Sequence, residues 1–152
     1  MENQFNNALC VEVLEHVVDT EFFLGEIYRC LKPNGKIILT VPWSARRHHL
    51  PYDYFRFTPE ALTFLFQKSG FIDIQITERG NDFAVAFNKI LCLIQGLFFP
   101  PKKKTLFLTI PLGLMLLPSA LIFLLIAHIS LIFGVGPRID PLGYALTAKK
   151  PF

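Results

Sequence analysis

Ala8-Leu-Cys-Val-Glu-Val-Leu-Glu-His-Val17 decides how this chain is read. Ala8 to Val13 is short, partly β-branched and nearly continuous in its apolarity, as a buried parallel strand would be. Where that strand should stop, Glu12, Glu15 and His16 form an acid-acid-histidine cluster.

Working outward, Asp19 or Thr20 caps a helix running to about Leu31, with Phe23, Ile27 and Leu31 on one stripe. Pro33-Asn34-Gly35 reads as its stop, and Lys36 to Val41 as the next buried strand, ended by Pro42. Pro42 to Phe57 is polar and aromatic, too long for a plain connector and suited to building a site. Thr58 caps a second helix with Pro59 in its first turn, Leu62, Leu65 and Phe66 on its buried face and Gly70 at its end. Phe71 to Thr77 alternates like a half-covered strand, and Leu142 to Lys149 supplies a last one. The order strand-helix-strand-helix-strand predicts an α/β arrangement with parallel strands.

The 152 residues allow one core, and the 52% apolar share and mean hydropathy of +0.42 are high for a soluble domain. Charge divides sharply along the chain. Met1 to Asp82 carries 8 Lys/Arg against 11 Asp/Glu, whereas Phe83 to Phe152 carries 7 against 1. A cationic, apolar half points to a membrane surface with anionic headgroups. Nucleic acid is not the expected partner, because Lys102, Lys103 and Lys104 adjoin a greasy run rather than interleaving with exposed aromatics. Cys10, Cys30 and Cys92 are odd in number and match no Cys-x-x-Cys spacing, so a reducing, cytoplasmic setting is expected. Met1 to Asn7 is polar and acidic, unlike a cleavable signal peptide.

Cys10 to Val17, Glu26 to Leu39 with its Leu-Lys-Pro-Asn-Gly, Pro51 to Glu60 with its Tyr-Phe-Arg-Phe-Thr, and Gly70-Phe71 together resemble the class I S-adenosylmethionine-dependent methyltransferases of the type 11 domain group. The resemblance covers Phe5 to about Arg79 and the last strand. It implies a partial Rossmann-like half-sheet made of family strands 4-5-7-6, with helices and an apolar helical membrane insertion before the last strand. The corresponding domains are residues 5–82 with 142–150, and 83–137. It further implies an S-adenosylmethionine cofactor contacted by Val11 and Glu15. The family's glycine-rich loop and ribose-gripping acid have no counterpart here, so the chain is expected to be a truncated form or one whose missing half a separate chain supplies. A non-catalytic membrane-associated remnant or scaffold is the alternative.

In a helical turn Glu12, Glu15 and His16 would share one side, a donor set for Mg²⁺ or Mn²⁺ similar to that of metal-dependent O-methyltransferases in the family. The competing reading has Glu15 capping the next helix and His16 hydrogen-bonded near the cofactor. In the loop, Tyr52, Tyr54 and Arg56 are candidate acceptor contacts, and His16, His48 and His49 candidate bases for a hydroxyl acceptor. Equally, Tyr54 and Phe57 would anchor a loop whose charges are simply solvated.

Thr105 to Pro137 contains no Asp, Glu, Lys or Arg, ample for a helix of about 20 residues in a bilayer. Return of the chain to the sheet predicts a membrane-dipping hairpin bent near Pro118, with arms Thr105 to Leu117 and Ser119 to Gly134, and Ile90 to Phe99 along the interface. The expected placement is the cytoplasmic face of a membrane, with membrane lipid and a small-molecule or lipid-linked acceptor as partners.

Overall fold

The computed structural model describes residues 2–152, which divide into two compact units, 2–79 with 142–152, and 80–141. In the first, β1 (Phe5–Val11) begins before the apolar run and stops at Val11. Glu12 takes a positive φ of 51°, which turns the chain out of the sheet before a single 3₁₀ turn at Leu14–His16. Asp19 caps α1 (Thr20–Cys30), its carboxylate accepting the Phe22 N–H at 2.9 Å.

Pro33-Asn34-Gly35 does not separate helix from strand. β2 (Leu31–Pro42) starts directly after α1, with Leu31 opposite Phe5, and the segment Lys32 to Gly35 bulges before Lys36 resumes opposite Asn7. Only glycine fits at position 35, where a Cβ would lie 2.7 Å from the Lys32 carbonyl oxygen. Thr58 caps α2 (Pro59–Lys68), its hydroxyl accepting the Ala61 N–H at 3.2 Å. Gly70, at φ +88°, then releases the chain into β3 (Ile72–Arg79).

β4 (Gly143–Lys149) inserts between β2 and β3, giving the order β1-β2-β4-β3. β1 and β2 pair in parallel, while β4 runs antiparallel to both its neighbours. The first three strands therefore share one direction, and only the last opposes them. Lys150 fixes the exit of β4, donating to Asn3 Oδ1 and to the Tyr28 and Leu31 carbonyls at 2.8–2.9 Å.

One sheet face holds the core. Cys10, Ile37, Leu39, Val41, Tyr144, Leu146 and Ala148 pack with Leu24 of α1 and with Leu62 and Phe66 of α2. Burying such side chains contributes roughly 1.5–3 kcal/mol each. The other face is open at Leu9 (73% exposed) and Ile38 (47% exposed), so β1 and β2 are not buried on both sides. A continuous apolar run reads alike whether helices cover one face or two.

The second unit is a pair of helices, α3 (Asp82–Phe98) and α4 (Leu106–Phe133). Asn81 binds its base together, since its side-chain oxygen accepts the Ala84 N–H while Nδ2 donates to Ser130 Oγ at 3.0 Å and to the Val135 carbonyl at 3.1 Å. Gly113, Ala120, Ala127 and Ser130 form the buried stripe of α4. At Gly113 the Phe98 ring comes close enough that a Cβ would meet it at 3.2 Å. The expected bend at Pro118 is absent. α4 passes unbroken through Pro111 and Pro118, and the turn lies instead at 99–105, carrying Lys102, Lys103 and Lys104. An interior proline costs about 3 kcal/mol; here the uninterrupted helix formers Leu114 to Leu117 and Ala120 to Leu125 on either side carry the helix across it. By length and composition α4 is apolar and long enough to cross a membrane.

Candidate functional site

The site forms where β1 and β2 end and the loop after Pro42 folds back. The 3₁₀ turn drives the Glu15 side chain inward to 0% exposure, while its carbonyl accepts the N–H groups of Tyr54 and Phe55 at 3.0 and 3.2 Å. The loop is thereby tied to the end of β1. Asp53 and Arg56 brace it from within. The Arg56 guanidinium donates to both Asp53 oxygens at 2.7 and 2.8 Å and to the Phe55 and Arg46 carbonyls, and the His48 N–H donates to Asp53 Oδ2 at 3.0 Å. Arg56 beside it holds the Asp53 carboxyl well below the usual carboxylate range.

These ties aim two imidazoles at one carboxylate. His16 Nδ1 lies 2.6 Å from the Tyr52 carbonyl and His48 Nδ1 lies 3.1 Å from the Arg46 carbonyl. A carbonyl can only accept, so each Nδ1 carries a proton and Nε2 is the ring atom turned toward Glu15. Those Nε2 atoms face Glu15 Oε1 at 3.6 Å from His16 and 3.8 Å from His48. Neither Glu15 oxygen has a hydrogen-bond partner among the described residues. Burial, with the Glu12 charge adding to it, pushes the Glu15 carboxyl above its ordinary range, against the pull of His16 and His48. His49 is exposed and stacks edgewise near His16, ring centres 5.3 Å apart.

The expected oxygen-rich donor set is not assembled. Glu12, outside any helical turn because of its positive φ, pairs with Arg79 at the end of β3 instead of joining Glu15 and His16. The i, i+3 reading failed because it assumed a helix that the backbone does not form. Residues suited to Mg²⁺ or Mn²⁺ through two carboxylates are thus absent from the cluster, whose third member is His48. Val11 is half exposed at the end of β1, and Tyr52 and Tyr54 are exposed on the loop. Arg56 is engaged in the brace. Asp53 was the residue whose role went unread; its spacing of three from Arg56 was the available signal.

Residues 1–39 match the family model described as a methyltransferase domain. Phosphoethanolamine N-methyltransferase 2 of Haemonchus contortus, solved with S-adenosyl-L-methionine, superposes with a TM-score of 0.55 at 20% identity, covering 100% of this chain and 34% of that one. The chain shares the fold of such methyltransferase structures. A S-adenosylmethionine-dependent methyltransferase from Thermotoga maritima gives a TM-score of 0.55 at 14% identity, covering 99% of this chain and 58% of its own. One from Archaeoglobus fulgidus gives 0.52 at 15%, with 98% and 61% covered. The chain therefore spans about a third to three-fifths of the length of these methyltransferase structures. No curated protein matches it significantly.

Proposed function

We propose that this chain contributes the acceptor side of a S-adenosylmethionine-dependent methyltransferase whose acceptor is a hydroxyl on a lipidic or membrane-borne molecule. The observation that carries the reading is the convergence of His16, His48 and His49 with the exposed Tyr52 and Tyr54 on a methyltransferase sheet. In open α/β sheets ligands bind at such carboxyl ends of strands. The sulfonium methyl is already activated, so the protein's task is to hold acceptor oxygen and methyl carbon in line and to receive the hydroxyl proton. The histidines stand ready for that proton. Val11, half exposed at the mouth of β1, is the cofactor contact, and Glu15 acts from beneath through the histidines it faces. Arg56 serves the site by holding the loop.

The apolar length of α4 supports a membrane location, and the cationic turn at Lys102 to Lys104 fits anionic headgroups. The alternative is a non-catalytic membrane-associated remnant or scaffold of such an enzyme. Source cells fed S-adenosylmethionine carrying a tritiated methyl distinguish the two. Deleting the gene should remove one labelled product from the chloroform-extractable fraction, and His48→Ala should reproduce the loss. An identical labelling profile in the deletant would leave the scaffold.

A further inference from the structure

We propose that α3 and α4 form a hairpin lying flat in one leaflet of an anionic bilayer, with α3 at the headgroups as a roof over α4 among the acyl chains. The inference rests on the membrane location proposed above and fixes its geometry. Polarity changes across this hairpin and not along it. On α3, Phe83, Phe87, Ile90, Ile94 and Phe98 recur at i, i+4, i+7, i+11 and i+15, which is one apolar stripe. That stripe is spent on the second helix: the Phe98 ring meets Gly113, Ile94 is buried, and the Phe83 ring closes on Gly136 just past the end of α4. Away from it, α3 exposes Asn88, Lys89, Gln95 and Gly96.

α4 has the reverse surface. Its small residues Gly113, Ala120, Ala127 and Ser130 are the buried ones, whereas Phe107, Leu114, Leu121, Leu125 and Ile132 line up on an exposed, wholly apolar outer face. Stacked at an axis separation of about 8–10 Å, two such helices fill the roughly 15 Å of hydrocarbon in a single leaflet. A crossing fits these surfaces badly. The 28 residues of α4 reach about 42 Å against about 30 Å of hydrocarbon, and α3 beside it would carry Asn88, Lys89 and Gln95 through the bilayer. Lys89 stands at mid-helix, too far from either end to snorkel out cheaply. Lys102, Lys103 and Lys104 would also end on the side opposite the hairpin's two ends, which Asn81 joins to Ser130 and Val135. Laid flat, Lys89, the lysine turn and Arg138 all reach one headgroup layer, with only Asp82 and Asp140 to offset them, so anionic lipid is the matching occupant.

Depth is the quantity to measure. Full-length chain is reconstituted in vesicles of phosphatidylcholine and phosphatidylglycerol, with single spin labels at Leu114→Cys, Leu121→Cys, Leu125→Cys or Ile132→Cys of α4, and at Asn88→Cys or Gln95→Cys of α3. Cys10, Cys30 and Cys92 are replaced by Ala. Accessibility to oxygen and to a polar nickel complex gives the depth of each label. The four α4 labels should share one depth to within about 5 Å, a single helical turn, and the α3 labels should lie shallower by about 8 Å or more. A crossing would spread the α4 labels over about 27 Å, from one surface through the midplane toward the other, and that result overturns the flat hairpin. Wild-type protein gives a second reading that no substitution disturbs. A membrane-impermeant amine acylator added to sealed vesicles should modify Lys89 as completely as Lys103, and Lys89 spared while Lys103 reacts would equally overturn it. Failure to float with the vesicles, as when a second copy covers the apolar faces instead, overturns the membrane location itself; flotation with a graded depth profile leaves that location standing and removes only the flat hairpin.

Discussion

His48 Nε2 lies 3.8 Å from Glu15 Oε1, although one residue belongs to the loop after β2 and the other to the turn after β1. Their meeting depends on the Asp53–Arg56 brace, which fixes the His48 backbone, and on the Glu15 carbonyl, which receives the loop's own N–H groups. The turn that buries the Glu15 carboxylate is thus the same turn that docks the loop over it.

Glu15→Gln should make the protein more stable. A buried polar atom without a partner costs about 1–3 kcal/mol and a charged one more, and an amide escapes the charge. Burial raises the Glu15 pKa in the folded state, so its stabilising contribution is present below the ordinary carboxylate range and lost as pH rises through the raised value. Thermal melts should therefore show the variant ahead at neutral pH, with the gap closing on acidification. A variant that melts lower at neutral pH would mean the carboxylate is satisfied.

Arg56→Met should release the loop. Breaking a buried pair from one side costs about 3–5 kcal/mol where both charges are enclosed. Asp53 is enclosed and Arg56 is one-quarter exposed, so the lower end applies. Because Arg56 depresses the folded pKa of Asp53, the pair's contribution is present above the ordinary Asp value and is lost as pH falls through the depressed one. Hydrogen exchange at the Tyr54 and Phe55 amides should accelerate in the variant at neutral pH, and the double variant Asp53→Asn/Arg56→Met should recover part of the protection.

How far these relations were legible in the sequence follows from their range. Asp19 and Thr58 were readable as caps because a cap acts within a few residues. The Glu12–Arg79 pair was not, since it is made only when β3 and β1 have both found their places. Pro33-Asn34-Gly35 misled for the same reason: turn chemistry is local, but the bulge is set by pairing of Leu31 with Phe5. His48 and His49 looked equivalent as neighbours, and only the carbonyl of Arg46 and the carboxylate of Asp53 single out His48.

Cys10 should resist alkylation. Burial in the core, with Glu15 nearby, pushes its thiol up to about 11, so the reactive thiolate is scarce at pH 8. Iodoacetamide labelling of native protein read by mass spectrometry should spare Cys10 and reach it on denaturation. A raised folded pKa stabilises below the ordinary value of 9.0 and gives that stability up as pH climbs toward 11. Cys10→Ala should flatten the alkaline fall in melting temperature.

The course of α4 can be measured directly. Leu108 and Leu131 are both exposed on it, and an unbroken helix rising 1.5 Å per residue sets them about 35 Å apart. A hairpin bent at Pro118 would bring them to within about 15 Å, the reach of two helices packed at 8–10 Å. Spin labels at Leu108→Cys and Leu131→Cys, with Cys10, Cys30 and Cys92 replaced by Ala, should give the long distance by pulsed electron resonance in vesicles as well as in detergent. Pro118→Ala should leave that distance unchanged and raise the melting temperature, because it restores a helical hydrogen bond worth up to about 3 kcal/mol with its relief of strain. A short distance would return the bend to Pro118 and make Lys102 to Lys104 the foot of the hairpin instead of its turn.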